Sequence, residues 1–432
     1  MISNKIKESI SGTIKIPSDK SISHRSIIIP SISKGTSEIN NLLMSDDVLH
    51  TLEAFKLMGV KIINENKKVI IHGKGLNSLK KPKKNIYLGN SGTSARLLTG
   101  LLASQSFNSI IEGDRSLSTR PMKRIMKPLK LMGAEFNNHT GTLPLNIIGK
   151  KLNNAKINIE IPSAQIKSGL ILAALNTEGE SCFIEKNITR DHTEKMLGSF
   201  GADINVLKKG TESKIIIKGQ KELISKNIDV PSDLSSSAFI IVAALINPGS
   251  KITLNNINVN PTRNGILIAL KKMGAKINLK NKRTLSGEDV ADIDVEYSEL
   301  SGCELDSEMA KLMIDEYPIL SIAAAFSNGP SLFRGLKELK VKESDRLELI
   351  RLNLNRCGCD CKVIEDALFI MPSKTFNIKN NNIRTDFDHR IAMAFSVMGS
   401  KIGNLIIEDS ESINTSFPNF ISLFNRVGGN IT

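Results

Sequence analysis

Lysine and arginine recur in this sequence where a polar cluster precedes a short apolar run. Lys20 and Arg25 lie in KSISHRSIII, Arg96 in NSGTSARLL, Lys167 in SAQIKSGL and Arg390 in DHRIAMAF, while GDRSLSTRPM contributes Arg120 and VKESDR contributes Arg346. Arginine offers a planar fork of donors that fits phosphate and carboxylate, whereas lysine supplies a mobile point charge, so the mixture suits a ligand bearing both groups. Any one of these side chains taken alone would more often be solvated or ion-paired; their gathering at helix starts is the signal. Three carboxylates stand against the basic background: Asp315 and Glu316 in DEYPIL, and Glu343 between Lys342 and Arg346. Carboxyl groups beside bound anions are suited to proton transfer. For Glu343 the flanking cations favour the charged form and burial opposes it, and either can prevail.

Other chemistries find little support. There is no GxxxxGK[ST] loop, no HExxH, no GxSxG and no strand-flanked GxGxxG, which weighs against kinase, zincin, hydrolase and dehydrogenase readings. His192 in TRDHTEKM and His389 in DHR sit among polar groups and are read as supporting residues. The five cysteines, Cys182, Cys303, Cys357, Cys359 and Cys361, form an odd set in a long chain, so reduced thiols are expected. Single residues separate the last three, closer than the two to four of structural zinc sites, and no metal is expected.

The elements that must position these residues repeat. FKLMGVKI (from Phe55), LKLMGAEF (Leu129), LGSFGADI (Leu197), LKKMGAKI (Leu270), LNRCGCDC (Leu354) and LFNRVGGNI (Leu423) recur at roughly 70-residue intervals. In each, glycine follows an amphipathic run, as a left-handed helix cap requires, and alternating residues then predict a strand. Between them runs a second sixfold series, beginning at Lys20, Asn90, Ser163, Ser232, Asp315 and Asp388, in which a polar cluster opens an apolar helix. Serine, threonine, asparagine and aspartate are preferred helix caps. Helices apolar nearly all round must be buried, so each repeat is expected to supply one interior and one surface helix, with strands covering the rest. Parallel interior helices would bring their positive N-termini out together, and two such ends facing each other would trap anions.

A chain of 432 residues exceeds one ordinary core and predicts two domains of about 200 residues. It has no apolar stretch of the roughly 18 to 20 residues that would cross a bilayer, and its first residues lack a secretion signal, so the cytoplasm is expected and no membrane partner. The net charge of +14 fits an anionic ligand or a nucleic acid. With no tryptophan, few other aromatics and lysines spread along the chain, nucleic acid is disfavoured.

PSDKSISHR (17–25), LGNSGTSARLL (88–98), SLSTRPM (116–122), SAQIKS (163–168), TRDHTEKML (189–197), MIDEYPIL (313–320), VKESDRL (341–347) and DHRIAM (388–393) resemble, in order along the chain, the 5-enolpyruvylshikimate-3-phosphate synthase family, 3-phosphoshikimate 1-carboxyvinyltransferases. SAQIKS with TRDHTEKM is similar to its class II bacterial branch. The resemblance implies an α/β (α+β) fold, a two-domain inside-out α/β barrel of the enolpyruvyl transferase type with six βαβαββ repeats, three per domain. It implies an N-terminal domain over 17–229, a C-terminal domain over 1–16 plus 230–432, and hinges near 11–19 and 229–232. The implied activity transfers the enolpyruvyl group of phosphoenolpyruvate to the 5-hydroxyl of shikimate 3-phosphate, releasing phosphate, in the shikimate pathway to chorismate and aromatic amino acids.

Carried over position by position, the resemblance implies that shikimate 3-phosphate meets Lys20, Ser21, Arg25, Ser163, Ala164, Gln165, Arg190, Asp315 and Lys342. Phosphoenolpyruvate would meet Lys20, Gly92, Arg120, Gln165, Arg346 and Arg390. Gly92 also fits physically, since a residue without a side chain lets backbone approach a ligand closely. Asp315 is expected to act as base on the hydroxyl, with Glu343 and Lys20 exchanging the proton at C3 of phosphoenolpyruvate. No cofactor or metal is implied, the partners are the two small-molecule substrates, and a monomer is expected. One departure is Thr415, where other members carry lysine: either the contact is dispensable or another cation replaces it. The rivals are a UDP-N-acetylglucosamine 1-carboxyvinyltransferase, disfavoured because GDRSLSTRP lacks that family's loop cysteine, and a basic nucleic-acid-binding protein, which would leave Asp315 and Glu343 without a purpose.

Overall fold

Six glycines that follow amphipathic runs, Gly59, Gly133, Gly201, Gly274, Gly358 and Gly428, all adopt positive φ, between 84° and 109°. At each, the next amide reaches back to a carbonyl five residues earlier: Val60 to Phe55, Ala134 to Leu129, Ala202 to Leu197, Ala275 to Leu270, Cys359 to Leu354 and Gly429 to Phe424, at 2.9 to 3.1 Å. This left-handed cap satisfies carbonyls the helix leaves open and turns the chain sharply. Strands follow at Lys61–Glu65, Glu135–Asn137, Asp203–Lys209, Lys276–Leu285 and Cys361–Ile364. After Gly428 a single antiparallel bridge, Ile431 to Ser3, takes that place.

These features belong to a computed structural model of the protein, which describes residues 1–65, 68–138 and 140–432. The chain divides into two compact units. The N-terminal unit comprises Ser18–Val230 with Leu285–Glu288; the C-terminal unit comprises Met1–Pro17, Pro231–Thr284 and Asp289–Thr432. Among the described residues no helix is long and apolar enough to cross a membrane.

Among the described residues each unit contains three mixed sheets, and five of the six have four strands. In the N-terminal unit, Lys156–Ile159 runs parallel to Glu180–Glu185, which pairs antiparallel with Glu212–Lys218, itself antiparallel to Asp203–Lys209. The sheet around Ser109–Glu112 follows the same scheme. The remaining sheet of that unit draws its first strand from far along the chain, Ile228 pairing with Ile39. The C-terminal unit does likewise: Ser11–Lys15 runs parallel to Lys251–Asn258, and Ile2–Ser3 pairs antiparallel with Leu405–Ile407.

Among the described residues six interior helices fill the units: α1 (Lys20–Ser31), α2 (Gly92–Ala103) and α3 (Ala164–Ala174) in one, α4 (Leu234–Ile246), α5 (Tyr317–Ala325) and α6 (His389–Ile402) in the other. All of α4 and α5 is buried, and α1 is buried from Ile22 onward. Their all-round apolar surface leaves no face fit for water. The helices leading into the glycine caps bury one stripe only, as Lys123–Leu131 does with Ile125, Met126 and Leu129. Cys357, Cys359 and Cys361 join the core, and burial pushes the first two thiols up to about 12.

Candidate active site

The first turns of α1, α2 and α3 are tied together by polar side chains. Asp19 caps α1, its carboxylate accepting from the Ile22 amide at 2.9 Å. Ser91 caps α2 through the Ser94 amide at 3.2 Å. Ser163 caps α3 through Ile166 at 3.5 Å, so Ser163, Ala164 and Gln165 lie half-exposed at the helix start. Gln165 accepts from Arg96 Nη1 at 2.9 Å and donates to Thr93 Oγ1 at 3.0 Å, linking α3 to α2.

Arg25 is 3 % exposed and donates to Thr193 Oγ1 (2.7 Å), the Ser21 carbonyl (2.8 Å) and Ser168 Oγ (2.8 Å). Burial pushes its guanidinium down to about 10; Glu194, Asp19 and Glu288 counter that, and Arg190 adds to it. Arg190 itself is half-buried. Lys20 forms an ion pair with Asp47. Arg120, nearly buried, donates to Asn90 Oδ1. At Gly92 an added Cβ would lie 2.7 Å from Arg96 Nη1 and 2.9 Å from Arg120 Nη1, so the glycine admits two guanidinium groups to the start of α2.

The C-terminal unit gathers a different population. Asp315 Oδ1 accepts from Lys342 Nζ at 3.2 Å and Arg346 Nη1 at 3.3 Å. Arg346 also donates to Glu343 Oε2 at 2.5 Å and, through Nε, to Asp388 Oδ2 at 2.8 Å. Its guanidinium is fully buried, which alone would depress its pKa, yet Asp388, Glu343 and Asp315 outweigh burial and hold it above its ordinary value. Asp388 meanwhile caps α6, accepting from the Arg390 amide at 2.9 Å. Arg390 Nη1 donates to the Asp315 carbonyl at 3.2 Å. Thr415 Oγ1 lies 3.3 Å from His389 Nδ1.

Each unit thus brings its own set together: Lys20, Ser21, Arg25, Gly92, Arg120, Ser163, Ala164, Gln165 and Arg190 in the first, Asp315, Lys342, Glu343, Arg346 and Arg390 in the second. Lys167 corrects an expectation. Grouped by sequence with the anion-holding cations, it is 1 % exposed and paired with Glu185 (2.8 Å) and Glu194 (2.7 Å) inside the N-terminal unit. A lysine this deeply buried must be answered by carboxylates, and two are built in for it. His192 is likewise interior, its Nδ1 2.8 Å from Glu288 of the same unit. Sequence reasoning missed Asp47, Ser168 and Thr193, and the carboxylate role of Asp388 toward Arg346. Asp388 reads as a helix cap from its position; nothing local announces a second partner 42 residues earlier.

Comparison with known proteins bears on the whole chain. The family model described as EPSP synthase (3-phosphoshikimate 1-carboxyvinyltransferase) matches residues 4–424. A 3-phosphoshikimate 1-carboxyvinyltransferase of Ruthia magnifica subsp. Calyptogena magnifica is 45 % identical over 425 residues, covering 98 % of this chain and 97 % of that protein. The protein of that name in Geotalea uraniireducens (strain Rf4) is 42 % identical, covering 97 % of each. Among solved structures, EPSP synthase from Acinetobacter baumannii superposes with a TM-score of 0.86 at 42 % identity, covering 99 % of this chain and 98 % of that one. With its fold and nearly its full length shared with these proteins, the chain belongs to the EPSP synthase (3-phosphoshikimate 1-carboxyvinyltransferase) family.

Proposed function

We propose that the two residue sets carry the family's transfer in this chain: the 5-hydroxyl of shikimate 3-phosphate attacks C2 of phosphoenolpyruvate, C3 takes up a proton, and phosphate leaves the tetrahedral intermediate. Asp315 takes the hydroxyl proton, and Glu343 with Lys20 exchanges the proton at C3. Lys20, Ser21, Arg25, Ser163, Ala164, Gln165, Arg190, Asp315 and Lys342 bind shikimate 3-phosphate. Lys20, Gly92, Arg120, Gln165, Arg346 and Arg390 bind phosphoenolpyruvate and stabilise charge growing on the departing phosphate. No metal is needed, because guanidinium and ammonium groups supply the neutralisation.

The observation that carries this reading is the convergence of Lys342, Arg346 and Arg390 on Asp315 at the start of α5, with Glu343 held on the same Arg346. An acid and the cations for an anionic substrate occupy one place, as addition to a phosphorylated enol demands. The units serve as the two domains, with hinges near 11–19 and 229–232, and the protein works as a cytoplasmic monomer of the class II branch in the route to chorismate. Support for the branch is SAQIKS together with TRDHTEKM. All five cysteines are buried, which disfavours a thiol-dependent relative. Phosphate release with both substrates, compared with either alone and repeated under chelator, tests the reading; release that needs only one substrate overturns it.

A further inference from the structure

Five of the six interior helices are capped by the side chain at their N-cap; α5 is the exception. Its cap residue, Glu316, is 2 % exposed, makes no capping hydrogen bond, and instead accepts from Ser235 Oγ in the first turn of α4. Burying a carboxylate that leaves a helix end uncapped is costly, and the arrangement must yield something in return.

The surrounding hydrogen bonds say what. Arg263 Nη2 donates to Ser235 Oγ at 2.7 Å and pairs with Asp233 at 3.0 Å. Guanidinium only donates and a hydroxyl has one proton, so Ser235 must direct that proton to Glu316. With Asp233, Ser235, Arg263 and Glu316 each at most 5 % exposed, the carboxylate is clamped from behind. Its Oε1 then lies 3.9 Å from Arg390 Nη1, the same nitrogen that donates to the Asp315 carbonyl. Among the described residues no other nitrogen of that guanidinium makes a hydrogen bond, so Nε and Nη2 remain for an anion.

We propose that Glu316 is a positioning residue, which, held by Ser235, draws one corner of Arg390 against the start of α5 and aims the rest of its fork at the carboxylate or phosphate of phosphoenolpyruvate. The inference rests on the assignment of Arg390 to that substrate. Glu316 touches neither substrate, so its loss should appear in affinity for one of them and little in turnover.

The test is steady-state phosphate release by the full chain carrying Glu316→Gln, Ser235→Ala, Arg390→Ala, or Glu316→Gln with Arg390→Ala. Glu316→Gln should raise KM for phosphoenolpyruvate roughly tenfold, with kcat and KM for shikimate 3-phosphate within about twofold, and Ser235→Ala should shift the same constant in the same direction by a smaller factor. In the Arg390→Ala background Glu316→Gln should add nothing, as expected of residues acting through one another. A KM increase for both substrates alike, an additive double variant, or a lowered denaturation midpoint with unchanged KM overturns the proposal. If Arg390→Ala raises KM for phosphoenolpyruvate but Glu316→Gln and Ser235→Ala do not, the assignment of Arg390 stands and the role of Glu316 fails. If Arg390→Ala leaves that KM unchanged, the assignment itself fails and this inference with it.

Discussion

Arg25 in the N-terminal unit and Arg346 in the C-terminal unit are both buried arginines beside an interior helix, and they are perturbed in opposite directions. Arg25 hydrogen-bonds to two hydroxyls and a carbonyl, so burial prevails and its guanidinium falls to about 10. Arg346 touches three carboxylates, which overcome burial and raise it. Dipoles hold a cation in place without balancing its charge; carboxylates do both. The direct partners of Arg25 are therefore dipoles, whereas those of Arg346 are three carboxylates that answer its charge.

The largest expected effect sharpens the second half of that contrast. Asp315→Ala should cut turnover by about a hundredfold or more while leaving shikimate 3-phosphate affinity within a modest factor, measured by phosphate release and by titration of the ligand. A fully active variant would remove Asp315 from the chemistry. Next comes the comparison itself. Arg346→Ala, which takes a shared buried cation from Asp315, Glu343 and Asp388, should lower unfolding free energy by about 3 to 5 kcal/mol in urea titrations, as loss of one buried ion partner does. Arg25→Ala, which strands hydroxyls and a carbonyl, should cost less stability and instead weaken shikimate 3-phosphate by roughly ten- to a hundredfold. Equal stability losses would break the distinction between the two arginines.

A smaller effect is expected at Gly92. The methyl of Gly92→Ala would press on Arg96 and Arg120, and should raise KM for phosphoenolpyruvate by roughly tenfold with little change for shikimate 3-phosphate. The smallest concerns His24, buried against Thr51 and Ser94, whose pKa is driven well below 6.5 by burial, then by Lys20 and Arg25. The unfolded chain takes up that proton below pH 6.5 and the folded chain does not, so stability present above 6.5 is lost as pH falls beneath it. The unfolding free energy of the parent in urea titrations should drop with a slope of up to about 1.4 kcal/mol per pH unit from this group, and His24→Gln should flatten that dependence. Identical slopes would mean His24 is not the group responsible.

Much of the fold was legible because its signals are local. The six glycines read as helix stops carry positive φ, and the polar clusters from Lys20, Asn90, Ser163, Ser232, Asp315 and Asp388 open interior helices. The incoming strands were not legible in the repeats themselves: Ile228–Asp229 and Ile2–Ser3 are two residues long, too short for any periodicity, and pairing across the chain alone makes them strands. At the candidate site, residue types and helix starts could be read, but partners could not.

Lys167 and Arg25 mark the boundary between the two kinds of information. Each is a cation near the start of an apolar helix and each is buried, yet one is enclosed by Glu185 and Glu194 and the other by hydroxyls. Capping and helix termination depend on atoms three to five residues apart, so the order of residues determined them outright. Whether a buried charge meets a carboxylate or a dipole depends on which elements pack together, as when Ser235 reaches Glu316 across 81 residues, and folding alone settles that.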